Sequence, residues 1–510
     1  MAKKATVVTL LLKQHVGAPC MPVVKKGDKV HMGDLVAKPN GLGANIHSSI
    51  TGVVKDIKDN CIIIEGDTKD TKWTPLKEQN DLLECIKEAG IVGMGGAGFP
   101  TGVKLSTKVP NGYILVNAAE CEPLLSHNMV QIMEEPEKTI RGIEYAMKMT
   151  DAKYGVIAIK QKHEKEINKL KTVLKDRKDI RIHLLADIYP MGEERAVIRE
   201  CLGILLGPAD LPSKANAQVV NVETVLRIAE AIEDKKPSIV KNLTVVGKLK
   251  KGTNPQVFLN VPVGTTVGEL IEKAGGISGK YGEIIMGGPF TGQATTLDTP
   301  ITKTTGGIIV TEPFEDLKGA PMGLLVCACG GNENRMKDMA KKMNAKVVLI
   351  QSCKQAVDPK GNGALKCENP GNCPGQAQKC MNFKKAGCTD ILIGNCSDCT
   401  NTVMGSGPKM GLGIHHQTDH VLKTVGMEVM RHLTKSKFVD GQLIVPDEIA
   451  KEEGRPISNS PYNHIENNNE LGSGEIAKDG TEFNLTYKIG NETFKVHVDK
   501  GVDVFIKGTS

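Results

Sequence analysis

Apolar residues in this chain gather in short blocks whose spacing changes several times, and each change marks a new unit. Residues 5 to 70 alternate, with turn signals at Gly27-Asp28, Gly33-Asp34 and Gly52, which predicts a module of short strands. From 73 to 240 the pattern becomes helix and strand in turn. Asp81 to Ala89 reads as a helix stopped by Gly90, and Tyr113 to Val116, Tyr154 to Ile159 and Ile180 to Leu185 read as buried strands. Glu194 to Cys201 and Glu223 to Ile232 have amphipathic helical spacing. A smaller unit over 241–315 contains Val261 to Gly276, an apolar strand, a threonine cap and a helix ending at Gly-Gly.

The alternation then resumes over 320–438. Strands GLLVCACGG, KVVLIQSC and TDILIGNC are separated by helices over 332–345 and 373–387, with a last helix over 418–434. This predicts a second α/β unit, its sheet parallel and its cysteines at the strand C-terminal ends where open α/β sheets place ligands. Residues 439–510 read as a Gly/Asn/Pro/Ser-rich linker followed by a small β unit, with a hairpin across Gly490-Asn491 and then VDVFI. The fold class is therefore α/β multidomain, in five segments.

Within the first α/β unit, GMGGAGFPTGVK (Gly93 to Lys104) places four glycines in six positions. Backbone without Cβ atoms can turn successive N–H groups onto one anion. Gly93, Gly95, Gly96, Gly98 and Lys104 are thus candidates for holding a phosphate, and a tight surface turn is the competing reading. No single GxGxxG with an acidic residue about 20 positions on is present, which disfavours a Rossmann unit. The following NAAECEP supplies Asn117, Glu120 and Glu122, whose polar groups suit ribose or ribityl hydroxyls.

Of fourteen cysteines, nine lie between Cys327 and Cys399, which argues for redox or metal chemistry over structural disulfides. Cys396-x-x-Cys399 follows a strand and opens a helix, where unpaired N–H groups favour a thiolate. Cys327 and Cys329 form a second pair at an equivalent strand end. Three readings compete: a thiol–disulfide relay, an iron–sulfur cluster using Cys367, Cys373 and Cys380, and a zinc knuckle or inert buried thiols. No metal ligand set is assigned; His416 and His420 lack an HExxH context and suit capping or core roles, while His415 is placed to tune a thiol. A net charge of +6 with only 3% aromatic residues excludes a stacking platform for nucleic acid. No apolar run approaches the ~18 residues of a membrane span. The N-terminal apolar run reads as a strand, not a signal peptide, so a cytoplasmic location is expected.

GMGGAGFPTGVK with LVNAAECEPLL closely resembles the flavin mononucleotide (FMN) and NADH site of the complex I flavoprotein. It resembles still more the RnfC component of the Rnf ferredoxin:NAD oxidoreductase, through YPMGEER, VNVET, GGPFTGQ and TKTTGGIIV as well. The likeness covers roughly residues 5 to 315. It implies a barrel-sandwich module over 1–72, an FMN/NADH-binding α/β domain over 73–240 and an SLBB-like β-grasp domain over 241–315. The 320–438 segment departs from it, because the ferredoxin run C-x2-C-x2-C-x3-C-P is absent. A flavin site followed by such a cysteine module resembles the proline-reductase-associated electron-transfer proteins of amino-acid-fermenting anaerobes, in which selenocysteine can replace a redox cysteine. That resemblance implies transfer of electrons from NADH through FMN and the redox cysteines to a partner (seleno)protein such as D-proline reductase, with Cys396 and Cys399 as the exit dithiol and Cys327 and Cys329 as a relay before it. A non-catalytic scaffold and a flavin-dependent reductase of a corrinoid or quinone are the alternatives.

Overall fold

The computed structural model describes residues 6–67 and 71–429 apart from 362, 374 and 395, together with the strand segments 475–476, 482–489 and 492–499. The N-terminal module is two small sheets. Thr6–Leu11, Cys61–Asp67, Thr51–Lys58 and Lys29–Val30 form one in that spatial order, and Cys20–Pro22, Leu35–Pro39 and Ile46–His47 form the other. Val8, Leu10, Val36, Ile62 and Ile64 close its interior.

The first α/β unit carries a four-stranded, all-parallel sheet in the order Ile180–Leu185, Tyr154–Lys160, Tyr113–Ala118, Ala217–Asn221. The central strand Tyr113–Ala118 is buried at every position but Asn117, because helices cover both faces. Pro136–Thr150 and Val222–Glu233 cover one face through Ile140, Ile143, Val225 and Ile228. Glu194–Leu202 covers the other through Val197 and Ile198. The helices His127–Glu134 and Pro136–Thr150 have no counterpart in the sequence reading.

The 241–315 segment contains a five-stranded mixed sheet, ordered Gln256–Pro262, Val240–Gly247, Gly307–Val310, Ile284–Met286, Gln293–Thr295, with a single described helix, Val267–Lys273. Thr266 caps that helix by accepting the Glu269 N–H at 3.2 Å. Lys303, buried in the TKTTGG turn, reaches out of this unit and donates to the carbonyls of Asn45 and Gly90 at 2.7 Å each, tying three units together.

The cysteine-bearing unit repeats the parallel theme, in the order Lys346–Ser352, Pro321–Val326, Asp390–Ile393, Gly413–His416. Two helices are shorter than their sequence pattern suggests. The one expected over 373–387 begins at Ala377, leaving Cys373 and Gly375 (φ 90°) in a loop ahead of it. The one expected over 418–434 spans only Asp419–Thr424, since the chain turns left-handed at Gly426 (φ 71°). Strands Glu482–Ile489 and Glu492–Asp499 pair antiparallel with Ile489 opposite Glu492, a hairpin across the expected turn. The bulk of the linker and VDVFI lie outside the described residues.

Candidate functional site

In an open α/β sheet, ligands settle at the carboxyl ends of the strands where the strand order reverses. Each parallel sheet here has one such point. In the first, the chain runs outward from Tyr113–Ala118 through two strands, then returns to place Ala217–Asn221 on the other side. Asn117 and Asn221 sit opposite each other in register at that edge. In the second, the reversal lies between Pro321–Val326 and Asp390–Ile393, and the strands lead into Cys327-Ala-Cys329 and into Gly394 and Cys396.

A cleft of about 590 Å³ opens over the first switch point, within the usual range for a cofactor site. The glycine loop forms one wall. Its neck is closed by a Val92–Pro100 bridge, and its carbonyl at Gly98 accepts the Val16 N–H from the N-terminal module at 3.1 Å. Met94 is buried and donates its N–H to Thr224 Oγ1 at 3.0 Å, which pins the loop to the start of Val222–Glu233. A Cβ on Gly95 would come within 2.3 Å of Asn221 Nδ2, so only glycine lets backbone and helix cap meet. Gly98 has φ +74°, a second reason for the residue type. Asn221 caps the twelve-residue helix Val222–Glu233, accepting the Glu223 N–H at 2.8 Å, and both Asn221 and Thr224 line the cleft. A helix N-terminus and glycine-bared backbone on one cavity are the donor set a phosphate needs.

Of the residues the sequence nominated, Gly93, Gly95, Gly96, Gly98, Lys104 and Asn117 line this cleft. Lys104 is not an uncommitted cation there: its Nζ pairs with Glu194 at 2.7 Å and donates to the Val219 carbonyl at 2.8 Å. Glu120 and Glu122, expected beside the cofactor, are not among the residues lining the cleft. The Glu122 carboxylate accepts from the N–H groups of Phe290 and Thr291 (2.7 and 2.9 Å) and from the Thr291 hydroxyl (2.5 Å). The GGPFTGQ turn, read from sequence as a phosphate loop or a plain hairpin, is thus a hairpin tip that grips a carboxylate of its own chain. Glu120 is buried beside His127, and desolvation pushes its carboxyl up to about 7.

The second switch point holds a small cavity lined by seven cysteines: Cys327, Cys329, Cys353, Cys367, Cys373, Cys396 and Cys399. Cys329 is the hub, its thiol in hydrogen-bonding contact with those of Cys327, Cys367 and Cys396, and a separate contact joins Cys373 to Cys399. Cys327 is held down at about 6, first by the bond from Cys329 and then by the N–H groups of Gly331, Cys329 and Gly330. Cys373 is held at about 6 by Cys399, Thr402, Gln376 and the Gly375 N–H. Burial instead pushes Cys353 up to about 11.

Cys396 caps Ser397–Ser406, as the sequence suggests, yet it and Cys399 are only 6% and 2% exposed, and the sulfur contacts of each run to other cysteines. Cys380 lies outside the cavity, packed in the core and accepting from Ser406, so the trio Cys367, Cys373 and Cys380 is not brought together. The open space between the thiols is about 10 Å³, roughly one water molecule. Among the described residues no three His, Cys, Asp or Glu side chains meet in metal-holding geometry. The thiols as arranged lie close enough for exchange with one another, and seven cysteines at one point are equally the donor type of an iron–sulfur cluster. His415 pairs with Asp390 at 2.8 Å, not with a thiol, and His420 with Glu283 at 2.9 Å.

Cleft and cavity are neighbours. Lys366 lines the cleft and Cys367 the cavity, adjacent residues of one strand pointing opposite ways. Behind them, Tyr189 stacks on Phe290 at 3.8 Å between ring centres and donates its hydroxyl to the Cys329 carbonyl. Gly192 lines the cleft while its N–H reaches Cys121 Sγ at 2.7 Å. Asn221, Gly192, Tyr189 and Lys366 have no part in the sequence reading of the site. YPMGEER and VNVET, which carry the family likeness, contain the first three, and the strand-then-cap pattern at Asn221 is a further signal.

The family model for the Nuo51 FMN-binding domain matches residues 86–230, and that for the RnfC barrel sandwich hybrid domain matches 1–71; the cysteine unit lies beyond both. The chain is 34% identical to cobalamin reductase PduS of Citrobacter freundii over 64% of its own length and 68% of the relative's. It is likewise 34% identical to that of Salmonella typhimurium, over 63% and 66%. The RnfC-type component of the proton-translocating ferredoxin:NAD(+) oxidoreductase complex of Clostridium ljungdahlii is 36% identical, over 59% and 70%. An NAD+-reducing [NiFe]-hydrogenase structure aligns with TM-score 0.37 at 22% identity, covering 45% of this chain and 46% of that one. No helix among the described residues is long and apolar enough to cross a membrane. The chain belongs to the RnfC-like family, with an RnfC barrel sandwich hybrid domain at its head and a Nuo51 FMN-binding domain behind it.

Proposed function

We propose that this protein is an electron-transfer oxidoreductase that takes electrons from NADH at the glycine cleft and delivers them through the cysteine cavity to a partner reductase. The observation that carries the reading is the Lys366–Cys367 step, one strand residue facing each site. In the cleft, Gly93, Gly95, Gly96 and Gly98 with the N-terminus of Val222–Glu233 hold the phosphate of FMN, and Asn117 and Gly192 border its far side. Lys104, paired to Glu194, shapes that wall. FMN, when bound, supplies acceptance of a two-electron hydride and its release to sulfur. A disulfide among Cys327, Cys329, Cys396 and Cys399 then takes up the pair of electrons and becomes one dithiol.

For the acceptor, a protein disulfide or selenosulfide suits a chain that ends its relay in thiols, and D-proline reductase is the partner of that chemistry we propose. Identity to the cobalamin reductases favours a second reading, a corrinoid acceptor served by the same cleft. Anaerobic titration with NADH, recording the visible spectrum and the free thiol count together, tests the reading. Flavin absorbance that bleaches while thiols appear is the expected outcome. A broad brown shoulder would assign the cysteine unit to an iron–sulfur cluster. A chain that stays colourless after reconstitution with excess FMN would leave only a scaffold.

A further inference from the structure

We propose that Cys373, backed by Cys399, is the thiol that attacks the partner's disulfide, and that Cys396 stays inside as a relay. This rests on the electron-transfer reading above and names its exit. Of the seven cavity cysteines, Cys327, Cys367, Cys396 and Cys399 are buried, and Cys329, Cys353 and Cys373 are half-buried. An exit must reach a partner sulfur in line, which removes the four buried ones. Cys329 has its thiol taken by three others. Cys353 has one side-chain donor, Gln376 Nε2 at 3.2 Å.

Cys373 alone among the half-buried three is both reachable and built to be a thiolate. Thr402 Oγ1 lies at 3.2 Å, and Gln376 Nε2 and the Gly375 N–H donate at 3.4 Å each. Its sulfur also touches Cys399, the resolving thiol one step deeper. Hydrogen bonds to the charged form are what lower a thiol's pKa. The facing titratable groups are Cys399, Cys353 and Asp398, whose Oδ2 accepts the Cys373 N–H at 2.7 Å and fixes the loop. Because the 377–385 helix starts after this loop, Cys373 stands clear of it.

The step balances. Cys373 Sγ⁻ attacks one sulfur of the partner's disulfide; that S–S bond breaks, and the other sulfur leaves as thiolate and takes a proton. Cys399 then gives up its proton and attacks Cys373 Sγ, releasing the partner's second thiol and leaving Cys373–Cys399 oxidised. Exchange with the Cys329/Cys396 dithiol re-reduces it, the two electrons coming from NADH.

The test uses whole, pre-reduced protein and needs neither NADH nor flavin. Cys399→Ser is exposed to oxidised glutathione, and the mixed disulfide is located by mass spectrometry. The expected adduct sits on Cys373, at least ~10-fold over any other cysteine. Wild-type protein given limiting iodoacetamide supplies a second reading should the variant misfold: Cys373 alkylates first, with half-maximal rate near pH 6. An adduct or first alkylation at Cys396, Cys329 or Cys353, or none at all, overturns the assignment. Capture at Cys373 with no flavin bleaching by NADH would leave the exit standing and bring down the upstream reading instead.

Discussion

The two parallel sheets of this molecule pose the same geometric opportunity and answer it with opposite chemistry. Each has four strands, each reverses its strand order beside its first strand, and each holds its site at the carboxyl ends there. At the first edge the chain supplies glycine, asparagine and a helix cap around a cleft of about 590 Å³. At the second it supplies seven thiols around about 10 Å³. A cleft that must admit a nucleotide needs backbone exposed and side chains withdrawn. A thiol relay needs the reverse, sulfurs in contact with solvent excluded, because exchange passes from sulfur to neighbouring sulfur. The fold determines where a site lies; residue size at the strand ends decides whether it is a binding cleft or a redox core.

Breaking the relay at its hub should separate the two sites most sharply. Cys329→Ser removes the thiol that joins Cys327, Cys367 and Cys396. Delivery of electrons from NADH to a disulfide acceptor should fall ~100-fold or more, about 2.7 kcal/mol in the barrier. Bleaching of the flavin by NADH in stopped flow should change less than ~2-fold. Equal losses in both steps would mean the cysteines belong to the cleft's own architecture.

The converse experiment acts on the cleft. A Cβ on Gly96 meets nothing within 4 Å, so Gly96→Val projects into open space without disturbing packing. FMN affinity, measured by fluorescence quenching, should drop ~10-fold, about 1.4 kcal/mol, with the melting temperature and Cys373 alkylation unmoved. Gly95→Val is the contrasting control: its side chain strikes Asn221, so affinity and stability should fall together.

What the sequence made legible follows the same division. The glycine loop, the buried strands and the cysteines at strand ends are local patterns, and each lies where its local signal points. Pairings across the chain were not legible. Nothing near Glu122 announces that hairpin N–H groups about 170 residues on will occupy its carboxylate. Nothing in the irregular spacing of Cys353, Cys367 and Cys373 shows that a strand end, a short strand and a loop carry them to one point, and nothing in the tidy Cys-x-x-Cys shows that both its thiols are buried. The helix His127–Glu134 escaped notice because buried His127, Asn128 and Gln131 interrupt its apolar face.

Glu122 also links the two sites mechanically. The hairpin tip it grips carries Phe290, which stacks on Tyr189, and the Phe290 carbonyl accepts from Gln417, whose Nε2 also reaches the Gly330 carbonyl beside Cys329. Glu122→Gln keeps the shape and loses charge in three hydrogen bonds. Because burial already penalises that charge, the net loss should be modest, about 1–2 kcal/mol by denaturant titration. The relay rate should fall more than the FMN affinity if the strut aligns the two edges.

The smallest effect is expected at Lys366, and it tests the boundary itself. This exposed ammonium belongs to the cysteine unit but lines the cleft, and its neighbour Cys367 faces the thiols. A solvent-exposed cation aids an anionic ligand weakly and is screened by salt. Lys366→Ala should therefore raise the FMN dissociation constant about 3-fold at low ionic strength, with the difference vanishing near ~1 M salt, where the Debye length is ~3 Å. Alkylation of Cys373 should not change. A variant that altered thiol labelling while leaving FMN affinity intact would show that the strand reports only to the sulfur side, and the proximity on which electron transfer depends would have to run through Tyr189 and Gly192 alone.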